Sequence, residues 1–247
     1  MSQVSVQELV IVIAAKNNNP TILTADFLKY SGIIPSDWEL ARQPVLTNSA
    51  AQVIFTNGVS IVAEPNRVIF IEAIADKSAA EIAIAQIARK YVEILPNAEY
   101  QAMGLNPRGY ASFDAGEDAA RNYLSQTLLA PGAWSDVGTA PARATINYVY
   151  TLERGQLNLS VNEAGLRQSD ETVKPIVLFS GNFSYDIAND DKAERLKNLY
   201  QALDNWQADL DTYKDIVDSK FLANQKTKPA PAKPVVPDVF AMATPAA

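Results

Sequence analysis

Several short segments of the chain alternate apolar and polar residues with a period of two, which is typical of strands with one buried face. The clearest examples are 145–152 and 156–161, which are separated by a short turn. In the first half of the chain, 52–56 and 59–63 flank Asn57-Gly58. This residue pair is favoured in tight hairpin turns because both positions tolerate positive φ. The pattern therefore predicts one antiparallel hairpin in each half.

Further apolar segments complete two similar sets of elements, one in each half. We predict four more strands, over 9–15, 67–74, 100–105 and 176–187. Each half then ends in a helix with an apolar stripe, over 78–95 and 191–222. Strands joined by short turns pair antiparallel, and helices bury their apolar stripe against a sheet.

Two segments of the chain, 27–38 and 123–134, align without a gap and suggest a duplication. Matching positions in the first segment are Phe27, Leu28, Ile33, Pro35 and Trp38, opposite Tyr123, Leu124, Leu129, Pro131 and Trp134. Since the chain has only 3 tryptophans, two in register are informative. We predict an α+β fold in which a strand–helix–three strands–helix unit is duplicated, with antiparallel sheets covered by helices.

The same patterns divide the chain into three parts. Residues 1–98 form the predicted first α+β repeat, and residues 99–224 form the second, which ends in a long amphipathic helix. Residues 225–247 are rich in Pro, Ala and Lys, and we expect a flexible, disordered tail there because this composition builds no packed core.

The C-terminal helix carries a stripe of apolar residues at steps of three and four, which must be buried somewhere. From 191 to 222 it would span roughly 48 Å at the usual helical rise, so we expect its second half to extend beyond its own sheet. The stripe then packs on the rest of the chain, on a second copy or on a different protein. We predict a partner surface within 206–222, formed by Leu210, Tyr213, Val217 and Phe221.

The tail supplies a second candidate for contact with a partner. Its apolar residues Val239, Phe240 and Met242 follow a proline-rich segment, so they are predicted to form a short docking motif on a flexible tether.

Composition excludes several kinds of chemistry. The 247 residues include no histidine and no cysteine, which excludes thiolate nucleophiles, disulfides, Ser-His-Asp triads and the usual zinc, copper and iron–sulfur sites. The net charge of −7 argues against nucleic acid as a partner. The longest apolar stretch, 9–15, is too short for a membrane helix and follows no basic segment. We therefore expect a cytoplasmic protein that does not bind membranes.

The acidic residues indicate helix caps rather than catalysis or metal binding. Four pairs have the spacing at which a cap side chain and a glutamate bond the first turn of a helix. They are Ser36 with Glu39, Ser78 with Glu81, Asp114 with Glu117, and Asp191 with Glu194. No glycine-rich phosphate loop is present either, and we expect no metal and no cofactor.

Two functions remain open on these grounds. The first is a non-catalytic protein–protein interaction, adaptor or assembly protein that acts through the helix stripe and the tail. The alternative is a binder of small anionic molecules, or an enzyme, that uses a cleft between the repeats. Its polar candidates are Arg67, Arg108 and Tyr110, since arginine binds carboxylate and phosphate with two parallel hydrogen bonds. No constellation of residues indicates an enzyme.

Overall fold

The fold is dominated by a single antiparallel sheet of nine strands in the order β2-β3-β4-β5-β1-β6-β9-β8-β7. The structure is a computed structural model and describes residues 3–113, 116, 118–130, 132–139, 142–167 and 171–223. The strands are β1 Ser5–Lys16, β2 Val45–Leu46, β3 Ala51–Ile54, β4 Val59–Glu64, β5 Arg67–Ala73, β6 Glu99–Ser112, β7 Thr145–Leu152, β8 Gly155–Arg167 and β9 Val173–Asp186.

Five α-helices are found in the described part of the chain. They are α1 Ala25–Tyr30, α2 Ile84–Ile94, α3 Ala119–Asn122, α4 Lys192–Asp204 and α5 Trp206–Ile216. Single π-helical turns, Tyr123–Leu128 and Val217–Phe221, continue α3 and α5. No helix among the described residues has both the length and the apolar character needed to cross a membrane.

Both predicted hairpins are confirmed. β3 pairs with β4, and β7 pairs with β8 without a register shift. In the first turn Gly58 adopts a φ of 84°, and the Asn57 side chain accepts a hydrogen bond from Val59 N at 3.2 Å. Positive φ is thus adopted by Gly58 and not by Asn57, which supports the turn through its side chain.

One hydrophobic core lies on one face of the sheet. Alternate residues of β1, among them Leu9 and Ile11, are fully buried there. Every helix contributes to the same cluster, as Leu28 of α1, Tyr91 of α2 and Leu210 of α5 do. The helices consequently lie on one side of the sheet.

The prediction of a duplicated strand–helix–three strands–helix unit with antiparallel sheets covered by helices is wrong, because the described strands form one large sheet. The sequence left open whether the two halves share a sheet. β1 and β6 pair along almost their whole length, so the strands of both halves belong to one sheet. This pairing satisfies backbone groups that would otherwise form two open sheet edges. The matched tryptophans also have different surroundings. Trp38 is half-buried against the Phe55 ring, at 5.2 Å between centroids, whereas Trp134 is 42% exposed.

The segment 106–110 continues the predicted strand 100–105 and lies in the middle of β6, although it contains Pro107. Proline has no N–H to donate, so it is rarely accommodated inside a sheet. Pro107 occupies a gap in the β6–β9 ladder, between the pairs Leu105–Phe183 and Arg108–Ser180. The strand continues through the gap because its other side pairs with β1.

The predicted helix caps have mixed outcomes. Ser78 and Glu81 form a capping box at a short 3-10 turn, and the Asp191 side chain caps α4 by accepting from Ala193 N and Glu194 N. Ser36 precedes no helix, so that prediction is wrong. Asp114 and Glu117 lie outside the described residues.

Candidate functional site: the open face of the sheet

The face of the sheet opposite the helices, here called the open face, carries a second group of apolar side chains. Six aliphatic residues on four strands are half-buried there, and none belongs to the core cluster. They are Val10 and Val12 of β1, Ile54 of β3, Val62 of β4, and Ile69 and Ile71 of β5. We call them the aliphatic patch.

Strand pairing makes this patch continuous. Val10 lies opposite Ile71 and Val12 lies opposite Ile69, while Ile69 also lies opposite Val62 on the next strand. Directly paired residues on one face have Cβ atoms roughly 5 Å apart, so these side chains contact each other across the strands.

Beside the aliphatic patch, the middle of the open face is polar but mostly uncharged. Amides and hydroxyls occupy the central positions of β6, β8 and β9, where Asn158 lies opposite Asn182 and Ser160 opposite Ser180. The Asn182 amide donates to Asn106 Oδ1, and Asn106 Nδ2 donates to the Val10 carbonyl at 3.3 Å. These amides therefore satisfy one another across three strands.

An ion pair marks the boundary between the aliphatic patch and the polar middle of the face. Arg108 Nη1 lies 3.4 Å from Glu8 Oε1, and the Glu8 side chain is nearly buried whereas that of Arg108 is largely exposed. Burial raises the pKa of the Glu8 carboxyl, and the positive charge of Arg108 opposes this shift. The burial effect is the larger, so the charged carboxylate is disfavoured at this position.

Two cavities among the described residues are lined by polar side chains. The hollow on the open face, about 460 Å³, is lined by Val10, Val12, several amides and Arg108. Of its polar side chains, Asn106, Asn182 and Arg108 bond within the chain. A cavity of about 560 Å³ near α3 contains Arg121 and Arg143, but both guanidinium groups pair with Glu163, at 3.1 and 2.7 Å. No cluster of acidic residues in the described ranges is suited to hold a metal ion.

The residues predicted to bind an anion are not brought together. Arg67, at the end of β5, pairs with Glu64 at 2.7 Å. Arg108 and Tyr110 lie on β6, and Tyr110 is buried. Because β1 and β6 are hydrogen-bonded neighbours, the halves are not separated along these two strands. The hollow that lies over both strands includes Arg108 but neither Arg67 nor Tyr110.

The predicted partner surface on the C-terminal helix needs a correction. The helix breaks at Asn205 into α4 and α5, and its stripe is buried in the chain's own core. The four residues concerned are Leu210, Tyr213, Val217 and Phe221. Tyr213 is 0% exposed, and its hydroxyl donates to the Phe179 carbonyl at 2.9 Å. The stripe therefore holds α5 on the sheet and is not available to a partner.

The tail residues Val239, Phe240 and Met242 lie outside the described residues, so their docking role stays a prediction.

The sequence interpretation missed the open face, although a signal was present. The stretch 9–15 is apolar at every position, whereas an antiparallel strand with one solvated face alternates. Apolar residues at both parities indicate a strand whose two faces both meet apolar surroundings.

No family model matches the sequence, and no curated protein matches it. The function is therefore argued from the geometry of the chain itself.

Proposed function

We propose that the chain is a non-catalytic protein-interaction or assembly protein that binds a protein partner on the open face of its sheet. The observation that carries this proposal is the aliphatic patch, which lies outside the single core of the described residues. A sheet is stable when its apolar faces are covered by another layer. The helices cover one face, and the partner would supply the missing layer on the other.

The dimensions of the sheet support a partner of protein size. Nine strands at a spacing of about 4.8 Å make a face roughly 40 Å wide, and typical strands are about 20 Å long. The product, on the order of 800 Å², equals the area that one partner contributes to a standard protein–protein interface.

The composition of the face supports the same conclusion. Although the chain has 21 basic and 28 acidic residues, the charged residues in the middle of the face are Glu8 and Arg108, which pair. Depletion of charge at the centre is a property of protein interfaces, whereas phosphate groups require a basic surface. We expect a partner with an aliphatic area beside hydrogen-bonding groups, and neither nucleic acid nor a cofactor.

A photo-crosslinking amino acid in place of Ile71 tests this proposal in the cells of origin, where we expect the protein to be cytoplasmic. The same amino acid in place of Tyr30, which is 89% exposed on α1, is the control because it reports on random collisions. We expect the Ile71 probe to give one discrete crosslinked protein that the Tyr30 probe does not give. Identical products from both positions, or none from Ile71, would refute the proposal.

A further inference from the structure

Among the described residues, one edge of the sheet is unprotected. β7 is the last strand of the sheet, and within the described ranges no strand pairs with its outer side. Its sequence, TINYVYTL, contains no charged residue and no proline, although natural edge strands are usually protected by such residues. The opposite edge is protected, because β2 has 2 residues and follows Pro44.

The strand registers determine which backbone N–H and C=O groups of β7 point away from β8. Ile187 N donates to Gln101 O at 3.2 Å, which continues the β6–β9 ladder. Antiparallel strands point successive residues to alternate neighbours, and the registers of β9, β8 and β7 contain no shift. The N–H and C=O groups of Thr145, Asn147, Val149 and Thr151 therefore point outward, away from β8. Their side chains lie on the open face and are exposed, Val149 by 60%.

We propose that β7 pairs antiparallel with β7 of a second copy of this chain, about a two-fold axis at Tyr148. This register allows every residue from 145 to 151 to pair. It places outward-pointing residues opposite each other, so that Asn147 and Val149 of the second copy exchange hydrogen bonds. The two nine-stranded sheets then form one continuous sheet with a self-complementary interface.

The side chains are complementary in the same register. On the open face Thr145 lies opposite Thr151 of the second copy, and on the helix side Ile146 lies opposite its Tyr150. Thr–Thr pairs and pairs of an aromatic with a β-branched residue both stabilise neighbouring strands. Tyr148 meets its own counterpart at the axis.

Charges just outside the strand favour the same arrangement. Arg143 precedes β7 and Glu153 follows it, and both are exposed, although Arg143 also pairs with Glu163 of its own chain at 2.7 Å. The two-fold axis places Arg143 opposite Glu153 of the second copy, once at each end of the interface. Opposite charges at these positions favour antiparallel over parallel pairing. This inference does not depend on the partner proposed for the open face.

Sedimentation of the full chain over a concentration series tests the inference. We expect a species of about twice the 26.9 kDa chain mass. The double variant Asn147→Lys with Val149→Lys clusters four like charges at the axis, so we expect dimerisation to weaken about a hundredfold or more. The double variant Asn147→Lys with Val149→Glu places opposite charges face to face and is expected to retain the dimer.

Two controls make the test specific to this edge and this register. Val173→Lys adds a lysine at a position that is also 60% exposed but lies on β9, and it should leave the dimer intact. The double-lysine variant should form a mixed dimer with the double variant Asn147→Glu, Val149→Glu, because each lysine then lies opposite a glutamate. A parent chain that stays monomeric throughout the series would overturn the inference. So would a dimer that both double variants retain equally.

Discussion

Two isoleucines on opposite faces of the sheet allow the buried face and the open face to be compared by mutation. Ile11 of β1 is 0% exposed in the core, opposite Phe70. Ile71 of β5 lies opposite Val10 on the other face and is half-buried. Both residues are in interior strands, so replacing each with alanine removes the same atoms and the same β-propensity. The two variants differ only in what surrounds the deleted side chain.

The expected free energies of unfolding differ by more than the usual experimental error. Ile11→Ala leaves a cavity in a close-packed core, which costs about 2–5 kcal/mol. Full burial of an isoleucine side chain contributes about 1.5–3 kcal/mol. Ile71 is already partly in water and leaves no closed cavity, so we expect Ile71→Ala to cost about 1 kcal/mol.

Equilibrium urea unfolding of both variants, compared with the parent at low protein concentration, measures this difference. Equal losses for the two variants would refute the assignment of Ile71 to an open face, because they would mean that a part of the same chain covers it. Repeating the series at high concentration adds information. If a second copy covered the open face, the cost of Ile71→Ala would rise with protein concentration, which pairing through β7 alone does not predict.

Two further predictions concern buried groups. Tyr213→Ala should lower the free energy of unfolding by about 3–5 kcal/mol. Tyr213→Phe should lower it by about 1–3 kcal/mol, because the Phe179 carbonyl loses its donor. Chemical denaturation measures both losses, and negligible values would contradict the burial of the helix stripe. Burial raises the pKa of Glu8 above 4.5 in the folded chain. The free energy of unfolding therefore includes a favourable contribution from the protonated carboxyl below pH 4.5, and this contribution is lost as pH rises through the raised pKa. Glu8→Gln should therefore stabilise the chain at neutral pH and lose this advantage at about pH 4, and a constant difference between the two pH values would contradict the burial of the carboxylate.

The local elements could be read from the sequence because their causes are local. The period of two over 145–152 matches β7 residue for residue, and Asp191 caps α4 through its own side chain. The pairing of β1 with β6 could not be read in this way. Nothing in either strand specifies its neighbour, and Pro107 is accommodated inside β6 where the β6–β9 ladder has a gap.

The choice of which apolar surface is buried is also a long-range property. Both the helix stripe and the segment 9–15 are apolar enough to require burial. The sequence does not indicate that the helix stripe is buried while part of the segment 9–15 lies on the open face. Gly181 contributes to this choice. A Cβ atom there would lie 3.0 Å from Tyr213 Cδ2 and 3.1 Å from Pro107 Cγ.

Gly181 thus leaves the space that Tyr213 needs to reach the sheet. Because its hydroxyl then bonds the Phe179 carbonyl, α5 is anchored on the helix side of the sheet. Val10 and Ile71 project from the opposite side of the sheet, where α5 does not reach them. Gly181 therefore contributes to the burial of the helix stripe on one side of the sheet, while Val10 and Ile71 lie on the other side.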